Sequence, residues 1–271
     1  MSDTATVENG YVFDPSWERE HSRLSALEEI YDGQSRHRLT ELGVAEGWRC
    51  LEVGCGAGSI ARWLAQQVGA AGRVLAVDLD TRFAAAPTRS NLEVRRHDIL
   101  TDRLPDASFD LVHARAVVEH LSDRDEALRR MAAATRPGGW VVVEDFDIDG
   151  PMYPAAARYY PPQYLEVAER LGRALRAAFG AAGVDPGTGR RLPQALTDAG
   201  LTEVGAEVYA PVLTGGSAAF FPLTLRSLRP RLLETGEVSD ADIEEVITLT
   251  KLQGSTYIPN FMVLAWGRKP S

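Results

Sequence analysis

The sequence predicts an α/β fold, a doubly wound and mostly parallel sheet with helices on both faces. Two observations lead to this prediction. Apolar, strand-like runs alternate with helical patterns between Leu51 and Val143. The run at residues 140–143 is apolar throughout, which is typical of a parallel strand covered on both faces. The 271 residues, of which 45% are hydrophobic, are enough for one elaborated domain.

Residues 51–59 predict the first strand, a tight turn and a helix that begins at once. Gly54, Gly56 and Gly58 alternate in this turn. Glycines at such positions allow positive φ and remove the Cβ atoms that would keep a ligand away from the backbone. We therefore expect a small ligand at the carboxyl end of the first strand.

Acidic residues near the turn indicate which ligand. The third glycine of the dinucleotide fingerprint would fall at Ser59, and Glu52 would disfavour a pyrophosphate and favour a positive charge. Asp78 ends the second strand, where an acid accepts hydrogen bonds from ribose hydroxyls. Asp98 follows the third strand and is placed for an amino group such as that of adenine. These features predict a nucleoside site without a phosphate anchor.

Three more segments follow in order, at residues 109–113, 117–121 and 136–144. With the glycine turn, Asp78 and Asp98, they resemble the class I S-adenosylmethionine-dependent methyltransferases, in the small-molecule, natural-product branch. The resemblance implies a Rossmann-like sheet of seven strands with an antiparallel edge, and S-adenosylmethionine as cofactor. The cofactor-binding residues that it implies are Arg23, Glu52, Gly54, Gly56, Gly58, Asp78, Leu79, Asp98, Ile99, Ala114 and Arg115.

Some of these residues have more specific expected roles. Arg23 is expected to meet the carboxylate of the cofactor, although packing on a helix surface explains it as simply. For a general base, the resemblance points first to His120 and then to Asp145, with packing again the alternative for His120. His113 lies inside a strand and is expected to be structural. A base is needed only for a hydroxyl or a protonated amine acceptor, so the lack of a Ser-His-Asp or metal signature does not exclude an enzyme.

Helical additions are expected around a methyltransferase domain at residues 47–271. Residues 1–46 predict an amino-terminal helical cap, and residues 150–183 and 214–258 predict lid insertions. The individual elements predicted here are helices at 17–31 (capped by Ser16), 34–42, 116–134, 192–199, 218–235 and 239–252, strands at 204–213 and 261–266, and only a turn or two between 80 and 91.

The net charge of −9 argues against a nucleic-acid surface, and the sequence shows neither a signal peptide nor a long apolar span. We therefore expect a cytoplasmic enzyme, compatible with a homodimer, that methylates an O, N or C atom of a small, apolar or aromatic metabolite, as in specialised biosynthesis. Three alternatives stay open: a cyclase that binds S-adenosylmethionine, a nicotinamide oxidoreductase (opposed by Ser59 and Glu52), and a non-catalytic subunit.

Overall fold

The computed structural model describes residues 12–13, 19–84, 89–150 and 152–271. Its centre is a seven-stranded sheet in the order β3-β2-β1-β4-β5-β9-β6. The strands are β1 (Arg49–Val53), β2 (Arg73–Asp78), β3 (Leu92–Arg96), β4 (Phe109–Arg115), β5 (Thr135–Phe146), β6 (Thr202–Tyr209) and β9 (Met262–Arg268), and the short strands β7 (Leu213–Thr214) and β8 (Thr256–Tyr257) form a separate ladder.

The sheet is parallel from β3 to β5 and antiparallel at the β9 and β6 edge. This confirms the predicted Rossmann-like, mostly parallel seven-stranded fold. The strand order reverses at β1, which lies between β2 and β4. In open α/β sheets, a crevice for ligands forms outside the carboxyl ends of the strands at such a reversal.

Eight helices of the described residues cover the sheet and its carboxyl edge. They are α1 (Glu20–Glu41), α2 (Ser59–Gln67), α3 (Arg124–Ala134), α4 (Tyr153–Ala156), α5 (Leu165–Ala181), α6 (Thr188–Asp198), α7 (Phe220–Glu234) and α8 (Asp240–Leu249). Apolar residues of α2 and of α3 with α6 pack on the two opposite faces of the sheet. A third apolar core joins α1, α5, α7 and α8 above the carboxyl edge. None of the helices described has the length and apolar character needed to cross a membrane.

The amino-terminal cap differs from its prediction. The two helices expected at 17–31 and 34–42 form the single helix α1, and Ser16 lies outside the described residues. Gly33 does not break this helix because its neighbours on the buried face are held in place. The Ser35 hydroxyl donates to Glu144 at 2.9 Å, and Tyr31 is fully buried. Tertiary contacts of this kind override a weak local propensity.

The helix predicted at 116–134 is also interrupted. Ala116 has a φ of +54°, and a short 3₁₀ helix at Val118–His120 follows. Helix α3 begins only after Asp123, whose carboxylate accepts from the backbone N–H of Glu126 at 2.9 Å. A positive φ cannot continue a right-handed helix, and Asp123 supplies an N-cap in its place.

Several predicted boundaries also move. The strand predicted at 204–213 ends at Tyr209, and the central strand at 140–143 extends to Thr135–Phe146. The helix predicted at 192–199 begins at Thr188. The helices predicted at 218–235 and 239–252 correspond to α7 and α8, and the described part of residues 80–91 contains turns but no helix.

Candidate cofactor and acceptor site

A cavity of about 300 Å³ lies at the carboxyl edge of the sheet. One side is the glycine turn after β1 and the ends of β2 and β4. The other side is formed by α1, α5 and α7 of the helical layer. The cavity therefore lies at the strand-order reversal, between the sheet and the helices above it.

The glycine turn requires its glycines for different reasons. Gly54 has a φ of +68°, and a Cβ there would lie 2.2 Å from a methyl carbon of Val117. Gly56 has a φ of +52°, and its Cβ would meet only Leu24, at 3.8 Å. Gly58 has a φ of +86° and leads into α2, outside the cavity wall. Gly54 thus makes room for the neighbouring loop, whereas Gly56 leaves open space toward the cavity.

Asp78 supports the turn and faces the cavity. Its carboxylate accepts from the backbone N–H groups of Gly56 at 2.9 Å and Asp80 at 3.0 Å. Burial raises the pKa of Asp78, and the hydrogen bonds from these amides oppose that effect. Leu79 lines the cavity beside it. Arg82 is paired with Asp80, and Phe83 contributes to the cavity wall.

The far end of this wall is formed by His97, Asp98 and Ile99. The Asp98 side chain accepts from the backbone N–H of Leu100 at 2.8 Å. Burial lowers the pKa of His97, which favours a neutral imidazole in this wall. Asp78 and Asp98 therefore lie along one wall of the same cavity, in the order that a nucleoside would need.

Glu52 belongs to a buried network that continues away from the cavity. His113 bridges the carboxylates of Glu52 (2.7 Å from Nδ1) and Glu144 (2.8 Å from Nε2). Burial opposes the charge of His113, but the two carboxylates dominate and raise its pKa to about 9. Burial raises the pKa of Glu52, while His113 and Arg115 lower it. His113 is thus structural, as expected from its position in a strand, and it keeps a carboxylate in the cavity wall.

Arg115 lines the cavity but is held from the side by α1. Its guanidinium donates to Asp32 and to the Ser35 hydroxyl, both at 2.8 Å. Asp32 also accepts from the Ser59 hydroxyl, and Glu28 accepts from the Ser59 backbone N–H at 3.0 Å. Glu28 and Asp32 therefore occupy the amino terminus of α2, where a pyrophosphate would otherwise bind.

Arg23 and Ala114 differ from their expected roles. Arg23 lies in the cavity wall, but its Nε and Nη2 donate to Glu20 at 2.8 and 2.6 Å, and its guanidinium stacks 3.7 Å from the Phe13 ring. Its fork therefore already binds a carboxylate of the protein. Ala114 is fully buried in the core under the sheet and does not line the cavity.

His120 lines the cavity next to Glu119, whose carboxylate lies 3.4 Å from His120 Nε2. Burial lowers the pKa of His120 to about 3, so the imidazole is neutral at physiological pH. Burial and the nearby Asp145 raise the pKa of Glu119 well above its ordinary value. The sequence assigned no role to Glu119, although it is adjacent to His120 in the chain.

Asp145 is fully buried and outside the cavity wall, which differs from its expected place beside the acceptor. Its Oδ1 accepts from the backbone N–H of Val117 at 3.0 Å, and burial raises its pKa to about 8. Asp145 therefore fixes the loop that carries Glu119 and His120. It contacts the site only through that loop.

The charges of the cavity wall favour a cation. Among the described residues, the wall contains two guanidinium groups, Arg23 and Arg115, and both are ion-paired. The carboxylates of the wall are those of Glu28, Glu52, Asp78, Asp80 and Asp98, and the raised pKa of Glu119 favours its neutral form. The described residues contain no cluster of three or more metal-ligating side chains. The site thus suits a nucleoside with a positive charge and no phosphate.

Comparisons with known proteins agree with this geometry. Residues 51–143 match the family model described as a methyltransferase domain. Methyltransferase GfsG of Streptomyces halstedii is 31% identical over 163 residues, which are 54% of this chain and 53% of the relative. Methyltransferase str3 of Strobilurus tenacellus is 33% identical over 135 residues, or 49% and 47% of the two chains. The chain thus spans about half the length of these curated relatives.

Solved structures show the same fold. A phosphoethanolamine N-methyltransferase of Haemonchus contortus aligns with a TM-score of 0.58 and 16% identity, covering 93% of this chain and 58% of that one. The [4+2]-cyclase SpnF aligns with a TM-score of 0.54 and 18% identity, covering 98% and 88%. Fold and site together define an α/β protein that binds a nucleoside cofactor. Residues 51–143 thus match a methyltransferase domain, in agreement with the resemblance that the motifs showed.

Proposed function

We propose that this protein transfers a methyl group from S-adenosylmethionine to an O, N or C atom of a small, apolar or aromatic metabolite. One observation carries the proposal. The carboxylate-lined wall of the cavity continues into an apolar wall of Phe146, Phe179, Phe220 and Phe221. A cofactor and an apolar acceptor would therefore share one enclosed space.

The residues of the chain fit this cofactor. Asp78 and Asp98 would hold the adenosine part, and Gly56 leaves space at the backbone for it. Arg115 is neutralised by Asp32, so the adjacent wall keeps its negative character. When bound, S-adenosylmethionine supplies an activated methyl group on a sulfonium. The protein then has to align the acceptor with that methyl and exclude water.

The helical layer accounts for the exclusion of water. We propose that residues 1–46, 150–183 and 214–258 act as cap and lid over the domain at 47–271. Helices α1, α5 and α7 contribute apolar side chains to both the cavity wall and the shared core above the sheet. A small-molecule acceptor fits this enclosed space better than a macromolecule. Cytoplasmic location and a homodimer stay as expectations from the sequence.

The cofactor can be tested before an acceptor is known. We expect S-adenosylmethionine and S-adenosylhomocysteine to bind with micromolar dissociation constants, about −8 kcal/mol, and NADH not to bind. NADH should be rejected because Glu28 and Asp32 hold the amino terminus of α2. Isothermal titration calorimetry of the purified chain with all three compounds measures this. Binding of NADH in preference to the other two would contradict the proposal.

His120 is the base candidate for a hydroxyl acceptor. A pKa near 3 makes the imidazole a weak base, and its Nε2 lies 3.4 Å from the carboxyl group of Glu119. We expect His120→Ala to lower kcat by about 100-fold with a hydroxyl acceptor, while leaving the dissociation constant of S-adenosylmethionine within a factor of two. An unchanged kcat with a hydroxyl acceptor would remove His120 from the chemistry.

A cyclase that retains S-adenosylmethionine is the alternative function, and the fold likeness to SpnF is compatible with it. Both functions use the same cofactor residues. They differ in the fate of the cofactor, because methyl transfer produces one S-adenosylhomocysteine per methylated product. Chromatography after turnover, which quantifies S-adenosylhomocysteine and the methylated product, distinguishes the two functions.

A further inference from the structure

On the side of the cavity away from His97, two polar side chains have polar atoms that no described residue satisfies. The hydroxyl oxygen of Thr224 and the amide oxygen of Asn260 are buried and lack a hydrogen-bond partner within the described part of the chain. The exposed fractions of the two residues are only 3% and 8%. A buried polar atom without a partner is costly, and proteins retain such groups where something else satisfies them.

Both residues are held in fixed places at the acceptor side. Thr224 is one helical turn after Phe220 on α7, and Asn260 lies two residues before the start of strand β9. Tyr31 contacts both neighbourhoods. Its ring packs 6.2 Å from that of Phe220, and its hydroxyl donates to the backbone carbonyl of Asn260 at 3.4 Å. Their positions are therefore set by the packed helical layer.

The topology separates this pair from the adenosine end. Strand β9 is four strands from β2, which ends at Asp78. Four strand spacings correspond to about 19 Å. The pair thus belongs to the part of the cavity lined by Phe220 and Phe221.

The guanidinium groups that line the cavity already have carboxylate partners. Arg23 is ion-paired with Glu20. Burial and Asp145 raise the pKa of Glu119, which favours its neutral form. An anionic acceptor would find both guanidinium groups of the described wall, Arg23 and Arg115, already ion-paired, and it would lose its hydration.

We infer that Thr224 and Asn260 form a subsite for a neutral hydroxyl or amide group on an otherwise apolar acceptor. A hydroxyl can donate to the Asn260 amide oxygen and exchange a hydrogen bond with the Thr224 hydroxyl. The aromatic side chains around the pair bury the apolar body of the same molecule. This inference rests on the proposed function, which it deepens by naming the class of acceptor.

The test uses the full chain saturated with S-adenosylhomocysteine and three neutral probes, 2-naphthol, 2-methoxynaphthalene and 2-fluoronaphthalene. Titration calorimetry should show 2-naphthol binding about tenfold more tightly than the other two. Thr224→Val and Asn260→Leu keep the approximate size of each side chain and should remove that preference. Thr250→Val is the matched control, since it removes a buried hydroxyl outside the cavity wall and should keep the preference.

The possible results separate the two proposals. If the unaltered chain does not bind S-adenosylhomocysteine, the proposed function itself is overturned. Normal binding of S-adenosylhomocysteine with equal affinities for the three probes, or with no probe bound, would overturn only the subsite. Tighter binding of 2-naphthoate than of 2-naphthol would also overturn it, because the subsite would then select a charge.

Discussion

Gly56→Val is expected to reduce the affinity for S-adenosylmethionine by about 100-fold or more, or about 3 kcal/mol, because its side chain would project into the cavity. A Cβ at Gly56 meets only Leu24, at 3.8 Å, so the branched side chain has room within the protein but fills space that the cofactor needs. The residue also has a φ of +52°, which costs a side chain about 1–2 kcal/mol of stability. Calorimetric titration together with thermal unfolding measures both effects.

Gly236→Val provides the matched control. Gly236 has a φ of +70°, and a Cβ there would meet no atom within 4 Å, so its backbone strain is similar. It follows α7 and lies outside the cavity wall. We expect a similar loss of stability with unchanged affinity for S-adenosylmethionine. Gly54→Ala would be a poorer test, because its Cβ would collide with Val117 and disturb the turn itself. Equal affinities of Gly56→Val and the unaltered chain would show that the cofactor does not approach this glycine.

The features predicted well from the sequence are local ones. The glycine turn, Asp78 and Asp98 carry their information in short segments, because the turn geometry and the strand ends depend on residues only a few positions apart. The alternation of apolar runs likewise predicted the parallel strands, and with them the polar residues that follow the strand ends at the sheet edge. These features sufficed to predict the fold and one wall of the cavity.

The other wall depends on contacts between distant segments. The bond from Ser59 to Glu28 joins positions 31 residues apart, and the bond from Arg115 to Asp32 joins positions 83 apart. No periodicity in either segment indicates that α1 would lie across the glycine turn. The ion pair of Arg23 could not be predicted for the same reason, since its partner Glu20 is visible in the sequence but the burial of both is not. The sequence does not indicate a role for Glu119, because its raised pKa comes from burial and from Asp145, 26 positions away.

His113→Leu is expected to lower the free energy of unfolding by about 3–5 kcal/mol at pH 7, because it leaves the buried carboxylates of Glu52 and Glu144 without their bridge. Burial already raises the pKa of Glu52, and His113 is the largest influence that lowers it again. Urea denaturation measures the loss. His37→Leu is the matched control, since His37 is exposed on α1 and its replacement should change stability by less than about 0.5 kcal/mol.

The same bridge predicts a pH dependence with a definite sign. The pKa of His113 is raised from 6.5 to about 9 in the folded chain, so the folded state binds the proton of His113 more tightly than the unfolded state does. Its contribution, on the order of 3 kcal/mol, is fully present below pH 6.5 and is lost as the pH rises through about 9. The difference in stability between the unaltered chain and His113→Gln should therefore shrink between pH 7 and pH 9.5. A difference that stays constant over this range would mean that His113 is neutral in the folded protein and bridges the two acids without a charge. Glu52 or Glu144 would then have to hold a proton, and protonation of Glu52 would remove one of the negative charges of the cavity wall that favour a sulfonium.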